Sequence, residues 1–257
     1  MPIEVSAVTS EIVGLDEFRK RVLDKVDPQD PSTLTSIALD LAALANDKEL
    51  MVRQVAMDIK TWQRPEFAMY SAQSCILDRF GPFTVRANLW PSVAMTMGER
   101  DALSYNAFHD HNFSFATTNL YGPGYTTDLY EFQLLGDWAR VGDTVLLEHL
   151  GERRLSEGIV VVYRKGLDMH SQIPPISPSA SINLIVNDDD VLFNDQFYFD
   201  PVRRIIIGTV ENVVEKRLSA LSLGRFLASE ASLSPLHAIS RTNKCKRSRR
   251  LCKDLLA

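Results

Sequence analysis

Cysteine and histidine are scarce in this chain, whose 257 residues include three cysteines and five histidines. The cysteines, Cys75, Cys245 and Cys252, form no C-x-x-C pair, which excludes a disulfide framework and a thiolate zinc site. The chain also lacks an apolar run long enough to cross a bilayer, and its polar start, MPIEVSAVTSE, does not resemble a signal peptide. We therefore expect a cytoplasmic protein with reduced thiols and no membrane partner.

A surplus of positive charge is missing as well. The formal net charge is −5, which argues against wholesale nucleic-acid binding. The local exception is the stretch 241–253, which is dense in lysine and arginine. It either contacts an anionic partner or forms the solvated face of a last helix. Hydrophobic and charged residues make up 45% and 24% of the chain, so a sizeable core is expected.

Helical periodicity is confined to the two ends of the chain. Before residue 67, apolar residues recur at spacings of three and four in three successive stretches. These stretches are LDEFRKRVLDKV, LTSIALDLAALA and ELMVRQVAMDIKTW. After Thr209 the same period returns in VENVVEKRLSALSLGRFLAS, SPLHAISRT and NKCKRSRRLCKDLLA. We predict one helical segment over residues 1–66 and another, with a basic tail, over residues 211–257.

Between these ends the hydrophobic pattern has a period of two, as in β-strands. About seven short alternating stretches follow one another, separated by Gly- and Pro-rich breaks. They are GPFTVRANLW, FSFATTNLY, TTDLYEFQLL, DTVLLEHL, GIVVVYRKG, SASINLIV and QFYFDPVRRIIIG. The pattern is typical of an antiparallel sandwich or barrel. We therefore predict a mainly β domain over residues 67–210, within a protein that is α+β overall.

Two of the five histidines, His109 and His111, stand one residue apart in NAFHDHNFSF. On a strand such a pair points to one face, where two neutral imidazoles form half of a metal site. In a core the pair would be costly, because each ring needs hydrogen-bond partners. His170, in LDMHSQIPPISPSASINLIV where a loop meets a strand, or His149, near the end of VLLEHL, offers a third ligand. Glu131 is an alternative ligand, and the sequence leaves this choice open.

The order of these features resembles the two metal-binding motifs of the cupin superfamily. HDH opening a strand, a Gly-rich hairpin (YGPGY) and a late histidine before an apolar strand all match, across residues 80–190. The usual glutamate four or five residues after the second histidine is missing, because Phe115 and Ala116 stand there. This loss is similar to three-histidine cupins, such as the thiol dioxygenases related to cysteine dioxygenase. Two features of that group are absent: a tyrosine on the strand after the late histidine, and a cysteine just after HDH.

This resemblance implies a cupin-type antiparallel jelly-roll barrel that holds a metal inside, with helical segments from both termini outside it. It implies His109, His111 and His170 as ligands of Fe(II). Zinc, manganese, nickel and copper are other metals that the same cage can bind. Because cupins often pair through the edges of their barrels, the resemblance favours a homodimer, and the alternative is a monomer whose terminal helices cap those edges.

Residues that handle substrate and protons are predicted on neighbouring strands. Arg86 lies in FTVRANLW and could clamp a substrate carboxylate, provided that the polar face of this strand points inward. The opposite face is apolar and could equally be the inward one. Tyr125, just before the strand that follows the hairpin, and Glu131, on that strand, are the candidates for catalytic proton transfer. Tyr130, on the same strand, is a candidate for substrate binding.

Together these features favour a non-haem Fe(II)-dependent oxygenase or dioxygenase. It would act with dioxygen on a small polar metabolite that carries a carboxylate, because three neutral ligands leave the charge of the metal available to an anionic substrate. Two alternatives stay open. One is a ligand-binding or regulatory module whose output surface is the basic tail. The other is a zinc- or manganese-dependent isomerase or hydrolase in the same cage.

Overall fold

The computed structural model describes residues 1–61, 73–92, 103–136, 138–210, 213–227 and 229–257. Its helices are α1 (Leu15–Lys25), α2 (Ala38–Ala45), α3 (Glu49–Thr61), α4 (Val213–Leu227), α5 (Glu230–Thr242) and α6 (Lys246–Leu256). Its strands are β1 (Ile3–Ser6), β2 (Ser74–Phe80), β3 (Phe83–Trp90), β4 (Phe108–His109), β5 (Ser114–Tyr121), β6 (Thr126–Leu134), β7 (Val145–Arg154), β8 (Ile159–Tyr163), β9 (Asp168–Ile173), β10 (Ser179–Val186), β11 (Phe197–Asp200) and β12 (Ile205–Thr209). Short 3₁₀ turns span Pro31–Ile37 and Asp189–Leu192. The predicted boundaries after residues 66 and 210 adjoin stretches outside the described residues and stay predictions.

The strands form two six-stranded antiparallel sheets. The first sheet has the order β1-β8-β5-β10-β3-β2, and the second has the order β12-β11-β4-β9-β6-β7. Strand β3 pairs with β10, β4 with β9, β5 with β8 and β6 with β7. Such nested pairs describe one long hairpin whose arms wrap into two facing sheets, which is the jelly roll. The predicted fold class, a mainly β jelly-roll barrel with helical segments at both ends, is confirmed.

Helices α1 and α2 and the 3₁₀ turn between them cover the outer face of the first sheet. Phe18 of α1 and Leu41 of α2 are fully buried in one cluster with Phe83 and Val85 of β3. Burying a side chain of this size contributes about 1.5–3 kcal/mol. Because alternate residues of a strand face opposite ways, packing Phe83 and Val85 outward sends Arg86 into the barrel. The helices therefore decide which face of β3 lines the interior.

The second sheet curls so that its two edge strands, β7 and β12, meet on the face of the sheet that points away from the barrel interior. The backbone N–H of Val145, at the start of β7, donates to the carbonyl of Arg204 at 2.9 Å, and Ile206 of β12 donates to Asp143 at 3.0 Å. These bonds join the two edge strands of the sheet, which leaves fewer unpaired backbone groups at its edges. The curl encloses a separate apolar cluster that includes Met169, Phe199 and Ile206. The central strands of this sheet are thus packed on both faces.

The three C-terminal helices pack on one another and on the 3₁₀ turn before β11. The side chain of Phe193 is held between two cations, with Arg217 of α4 at 5.4 Å and Lys244 at 5.7 Å from the ring centroid. The last helix begins later than its hydrophobic pattern predicts, because the sulfur of Cys245 accepts from the backbone N–H of Ser248 and caps it. Of the helices in the described ranges, none combines the length and apolarity that crossing a membrane requires.

Four strands escape the sequence pattern: β1, β2, β4 and β9. Strand β4 has only two residues, and β1, from the segment predicted to be helical, joins the edge of the first sheet through β8. Strand β9 reads DMHSQI, and His170 and Gln172 point into the barrel. Its buried residues other than Met169 are polar, so the rule that apolar residues mark the buried face of a strand does not find it.

Replacing Leu41 by alanine removes a fully buried side chain between α2 and the first sheet. We expect the free energy of unfolding to fall by about 2–5 kcal/mol, because buried area is lost and a cavity remains. Leu39→Ala, at an exposed position of the same helix, is the matched control and should change the value by less than about 0.5 kcal/mol. Urea unfolding followed by circular dichroism measures both. Equal effects of the two substitutions would contradict the packing of α2.

Candidate metal centre

The second sheet brings His109 and His170 side by side. His109 ends β4 and is in register with His170 on β9 and with Tyr198 on β11. The ring centroid of His109 lies 4.8 Å from that of His170 and 6.1 Å from that of Tyr198. His111 lies beyond the end of β4, and its ring centroid is 4.9 Å from that of His109. Strand alternation, which predicted that His109 and His111 share a face, is therefore not what brings these two rings together.

The three rings present one nitrogen each to a common point. One ligand atom from each of His109, His111 and His170 lies within 4.8 Å of the others, and Nε2 of His111 is 3.1 Å from Nε2 of His170. Two nitrogens that share a metal at about 2.1 Å, with an angle of about 90°, are about 3.0 Å apart. The His111–His170 pair already has this spacing. Within the described residues, these three histidines are the cluster of His, Cys, Asp or Glu side chains that lie close enough together to bind one metal ion.

The hydrogen bond of His109 defines its tautomer. Nδ1 of this ring lies 2.8 Å from the carbonyl oxygen of Ala107. A carbonyl oxygen can only accept, so Nδ1 carries the proton and Nε2 keeps its lone pair. An imidazole held in this way is prepared to bind a metal through Nε2.

Burial keeps all three imidazoles neutral. It lowers the pKa of His109, and it lowers the pKa of His111 and His170 well below the usual value for histidine. The positive charge of Arg86 lowers all three further, and His111 also responds to its two neighbouring histidines. A neutral imidazole is the form that binds a metal, so the donor set suits a divalent transition metal. None of the three groups carries negative charge, which leaves the charge of such an ion uncompensated by its protein ligands.

The histidines form one wall of a cavity of about 330 Å³ inside the barrel. Polar side chains of both sheets and several aromatic rings form the other walls. The lining residues are Gln73, Ser74, Arg86, Asn88, Trp90, Ser104, His109, His111, Phe113, Phe115, Tyr125, His170, Gln172, Asn183, Gln196, Tyr198 and Val210. Arg86 is the charged group among them, since the histidines are neutral. Among the described residues, the cavity therefore combines a metal-ligand wall with one cationic side chain, that of Arg86.

Of the residues predicted to contact substrate or transfer protons, Arg86 and Tyr125 line this cavity. Arg86 is next to Asn183 of β10 in register, and the Asn183 amide oxygen accepts from the Thr117 hydroxyl at 2.6 Å. The ring of Tyr125 packs on Trp90, with 4.2 Å between centroids. Burial raises the pKa of Tyr125, so its phenol keeps its proton at neutral pH.

Glu131 and His149, the alternative metal ligands, are not brought to the three histidines. The Glu131 carboxylate pairs with Arg164 at 2.9 Å and contacts the N-terminal amine, at a half-exposed position. His149 is exposed, and its Nε2 lies 2.7 Å from a carboxylate oxygen of Asp128. Both side chains are on strands that border the site, but they are held outside the cavity. The third histidine of the cluster is therefore His170, which lies within β9 and not at the loop-to-strand junction predicted.

Tyr130, predicted to bind substrate, is also outside the cavity. It is in register with Met169, which neighbours His170 on β9 and therefore points to the other side of the sheet. Its ring packs edge-on against Phe108, with 5.4 Å between centroids, and lies 4.6 Å from His149. Tyr130 thus belongs to the apolar cluster on the far face of the second sheet.

Sequence reasoning missed Gln196 and Tyr198, which both line the cavity. The amide nitrogen of Gln196 lies 3.2 Å from Nδ1 of His111. Gln172 differs, because its amide nitrogen lies 3.2 Å from Nε2 of His170, the nitrogen that faces His111. Gln196 and Tyr198 come from a stretch 85 residues or more after the HDH motif, and no motif marks them. Only the pairing of β11 with β4 brings them to the site.

Asp110, between the two histidines, points away from the cavity. It is 2% exposed, and its carboxylate accepts from the backbone N–H of Phe197 at 2.6 Å. Burial raises the pKa of Asp110 from 3.8 to about 7. The motif therefore alternates in function, since its histidines line the cavity while its aspartate fastens β4 to the start of β11.

Distant similarities to solved structures accompany this arrangement. No protein-family model matches the chain, and a search of curated proteins finds no match. The chain is similar to the DMSP lyase DddQ from Ruegeria pomeroyi DSS-3, with 15% identity and a TM-score of 0.27 over 46% of this chain and 47% of the lyase. It is similar to a salicylate 1,2-dioxygenase from Pseudaminobacter salicylatoxidans, with 10% identity and a TM-score of 0.30 over 54% of this chain and 33% of the dioxygenase.

A third similarity is to a cupin domain from Bordetella pertussis Tohama I, with 10% identity and a TM-score of 0.25 over 47% of this chain and 99% of that domain. The chain spans less than half the length of the lyase and of the dioxygenase. At such low identities and TM-scores, none of these proteins informs the reaction or the substrate. The jelly-roll fold rests on the observed pairing of strands.

The Asp110→Asn substitution tests the buried carboxyl group. Asp110 keeps its proton in the folded protein up to pH about 7, whereas in the unfolded chain it loses the proton near its usual value. Between these values the folded state binds more protons, so the contribution of Asp110 to stability falls as pH rises. We expect the unfolding free energy of the wild type minus that of the variant to fall by about 1.4 kcal/mol per pH unit from pH 4 to 7.

Urea unfolding at a series of pH values, with a chelator present to exclude metal effects, measures this difference. Asp24→Asn is the control, because Asp24 is exposed on α1 and its substitution should leave the difference flat. A flat difference for Asp110→Asn would show that its carboxyl group is ionised in the folded protein.

Proposed function

We propose that this protein is a metal-dependent oxygenase that uses Fe(II) and dioxygen to oxidise a small metabolite bearing a carboxylate. The observation that carries the proposal is the convergence of three neutral imidazoles, two buried and one half-buried, on one wall of a cavity that also holds an arginine. His109, His111 and His170 would hold the metal. A triad of this kind leaves coordination positions open for small molecules.

Bound Fe(II) would supply a site at which dioxygen and an anionic substrate can meet. Three neutral ligands support this choice of substrate, because an anion then offsets the charge of the metal. The volume of about 330 Å³ restricts the substrate to a small molecule.

Arg86 would bind and orient the substrate carboxylate. A guanidinium group has the planar, forked geometry that matches a carboxylate through two parallel hydrogen bonds. Its side chain enters the cavity from β3, in the sheet that faces the histidines, so a carboxylate held there directs the rest of the molecule toward the metal wall. Burial is the main cause of the lowered pKa values of the three histidines, and the positive charge of Arg86 lowers them further.

Tyr125 would act as the proton donor to the bound molecule. Its phenol is neutral because burial raises its pKa, and it lines the cavity together with Arg86. The ring is braced by Trp90, whose indole N–H donates to the Ser181 hydroxyl at 2.9 Å. A braced side chain of this kind keeps its position without reorganisation during the reaction. Glu131, which was predicted to share this role, is not among the residues that line the cavity, so the proposal gives the role to Tyr125.

Metal content tests the proposal directly. Protein reconstituted anaerobically with Fe(II) and then desalted should retain about one iron per chain, and the His109→Ala/His111→Ala variant should retain almost none, because two of three ligands are lost. His149→Ala is the matched control and should retain iron, since this exposed side chain pairs with Asp128. Elemental analysis measures all three proteins. Wild-type protein that holds stoichiometric zinc or manganese as purified would favour an isomerase or hydrolase, and protein that retains no metal even after reconstitution would favour a binding module.

Arg86→Gln tests the predicted carboxylate contact. Small carboxylic acids are first screened for substrate-dependent dioxygen uptake by the iron-loaded protein. For the best substrate, Arg86→Gln should raise KM by about tenfold or more, because a charge-assisted hydrogen bond is lost. Iron content should not change. Arg79→Gln, at an exposed position of β2, is the control and should leave KM unchanged. An unchanged KM in Arg86→Gln would rule out this role.

A further inference from the structure

Gln196 contacts the ring of His111 from behind the metal-facing nitrogen. Its amide nitrogen lies 3.2 Å from Nδ1 of His111, while Nε2 of the same ring faces His170 at 3.1 Å. Gln196 precedes β11 and belongs to the connection from β10. Metal-binding histidines usually engage a polar partner through their second nitrogen, and that partner fixes the orientation of the ring. Gln196 occupies this place for His111.

An amide can serve His111 in either of its neutral forms. With its NH₂ group toward Nδ1, Gln196 donates to the lone pair there, and the ring proton is on Nε2. When Nε2 binds a metal, the proton must be on Nδ1, and it can then be accepted by the amide oxygen after the amide turns over. A hydrogen bond accepted from Nδ1–H also raises the basicity of Nε2. A glutamine therefore supports both the metal-free and the metal-bound ring.

Asp110 of the HDH motif and Asn112, which follows it, bind the backbone on either side of Gln196. We call residues 191–197 the Gln196 segment. The side-chain amide of Asn112 donates to the carbonyls of Val191 and Asn194, both at 3.0 Å. Asp110 accepts from the N–H of Phe197 at 2.6 Å. The Gln196 segment is thus fastened by the residues that alternate with the two histidines.

The C-terminal helices hold the other side of the Gln196 segment. Arg247, in the first turn of α6, pairs with Asp195 at 2.8 Å, and both side chains are largely buried. Arg217 of α4 donates to the carbonyl of Leu192 at 2.6 Å, and its guanidinium lies over the ring of Phe193. Arg247 itself lines a separate cavity of about 270 Å³, together with Asp110 and Asn112.

We propose that Gln196 is a positioning residue for His111, and that the C-terminal helices act on the metal centre by holding the Gln196 segment in place. The inference rests on the proposed function, because it requires His111 to bind a metal. It gives the C-terminal helices a role in metal binding, although none of their residues is among the three proposed metal ligands. Loosening the contact between Arg247 and Asp195 should then weaken metal binding through the backbone that carries Gln196.

The first experiment measures the affinity of the chain for Co(II) by competition with a chelator, with the visible absorption of Co(II) as a record of its coordination. Gln196→Leu should bind Co(II) about 10- to 100-fold more weakly than the wild type and with an altered spectrum. Gln196→Glu, which can still accept from Nδ1–H, should bind within about threefold of the wild type or more tightly. Gln133→Leu, at an exposed position of β6, is the matched control and should behave as the wild type.

Gln196→Met, which keeps the length of the side chain without its hydrogen bonds, guards against a folding defect in Gln196→Leu. Unfolding midpoints identify a variant that is not folded. If Gln196→Leu is such a variant, the Co(II) affinities of Gln196→Met and Gln196→Glu are compared instead, and weaker binding by Gln196→Met supports the inference. If Gln196→Met and Gln196→Leu both bind Co(II) as tightly as the wild type, the inference is wrong while the proposed function stands. If the wild type itself binds no Co(II), both are overturned.

The second experiment tests the contribution of α6. Arg247→Gln should weaken Co(II) binding by about threefold or more, and it should add little in the Gln196→Leu background because both changes act through the same contact. Arg250→Gln is the matched control, since this exposed side chain of α6 pairs with Asp254 on its own helix. Equal affinities of Arg247→Gln and Arg250→Gln would overturn the role assigned to the C-terminal helices.

Discussion

The barrel depends on how the first sheet divides its apolar and polar faces. In a jelly roll of two bare sheets, the apolar faces would meet in the middle and fill the interior. Here α1 and α2 cover the outer face and bury Phe83 and Val85 there, so the opposite face can be polar. Arg86, Asn88 and Asn183 then line the interior. A cavity with room for a metal and a small anion is the consequence of this arrangement.

The second sheet supplies the metal wall and the rigidity that it needs. His109 and His170 point inward from β4 and β9, while Phe108 and Met169, their neighbours in the chain, pack in the apolar cluster on the other face. That cluster is closed because β12 returns to the start of β7. Ligands on strands that are packed on both faces keep their positions when a metal arrives, which lowers the cost of reorganisation.

The four residues HDHN contact both the cavity and the segment 191–197, on which the C-terminal helices pack. His109 and His111 face the cavity, whereas Asp110 and Asn112 bind the backbone of residues 191–197. The same residues are held from outside by α4 and α6 through Arg217 and Arg247. The histidine wall, residues 191–197 and the C-terminal helices are therefore consecutive layers of one packed structure, although they are far apart in the chain.

The sequence by itself determined the class of fold and the core of the site. Periods of 3.6 and 2 located the helical ends and most strands, because burying one face of a helix or strand imposes such periods locally. His109 and His111 were recognisable because adjacent imidazoles are costly without a function. Tertiary structure decided the rest. The choice of His170 over His149, the inward direction of Arg86 and the arrival of Gln196 all depend on strand register and on which face the helices cover. Those are contacts between distant residues, and no local pattern encodes them.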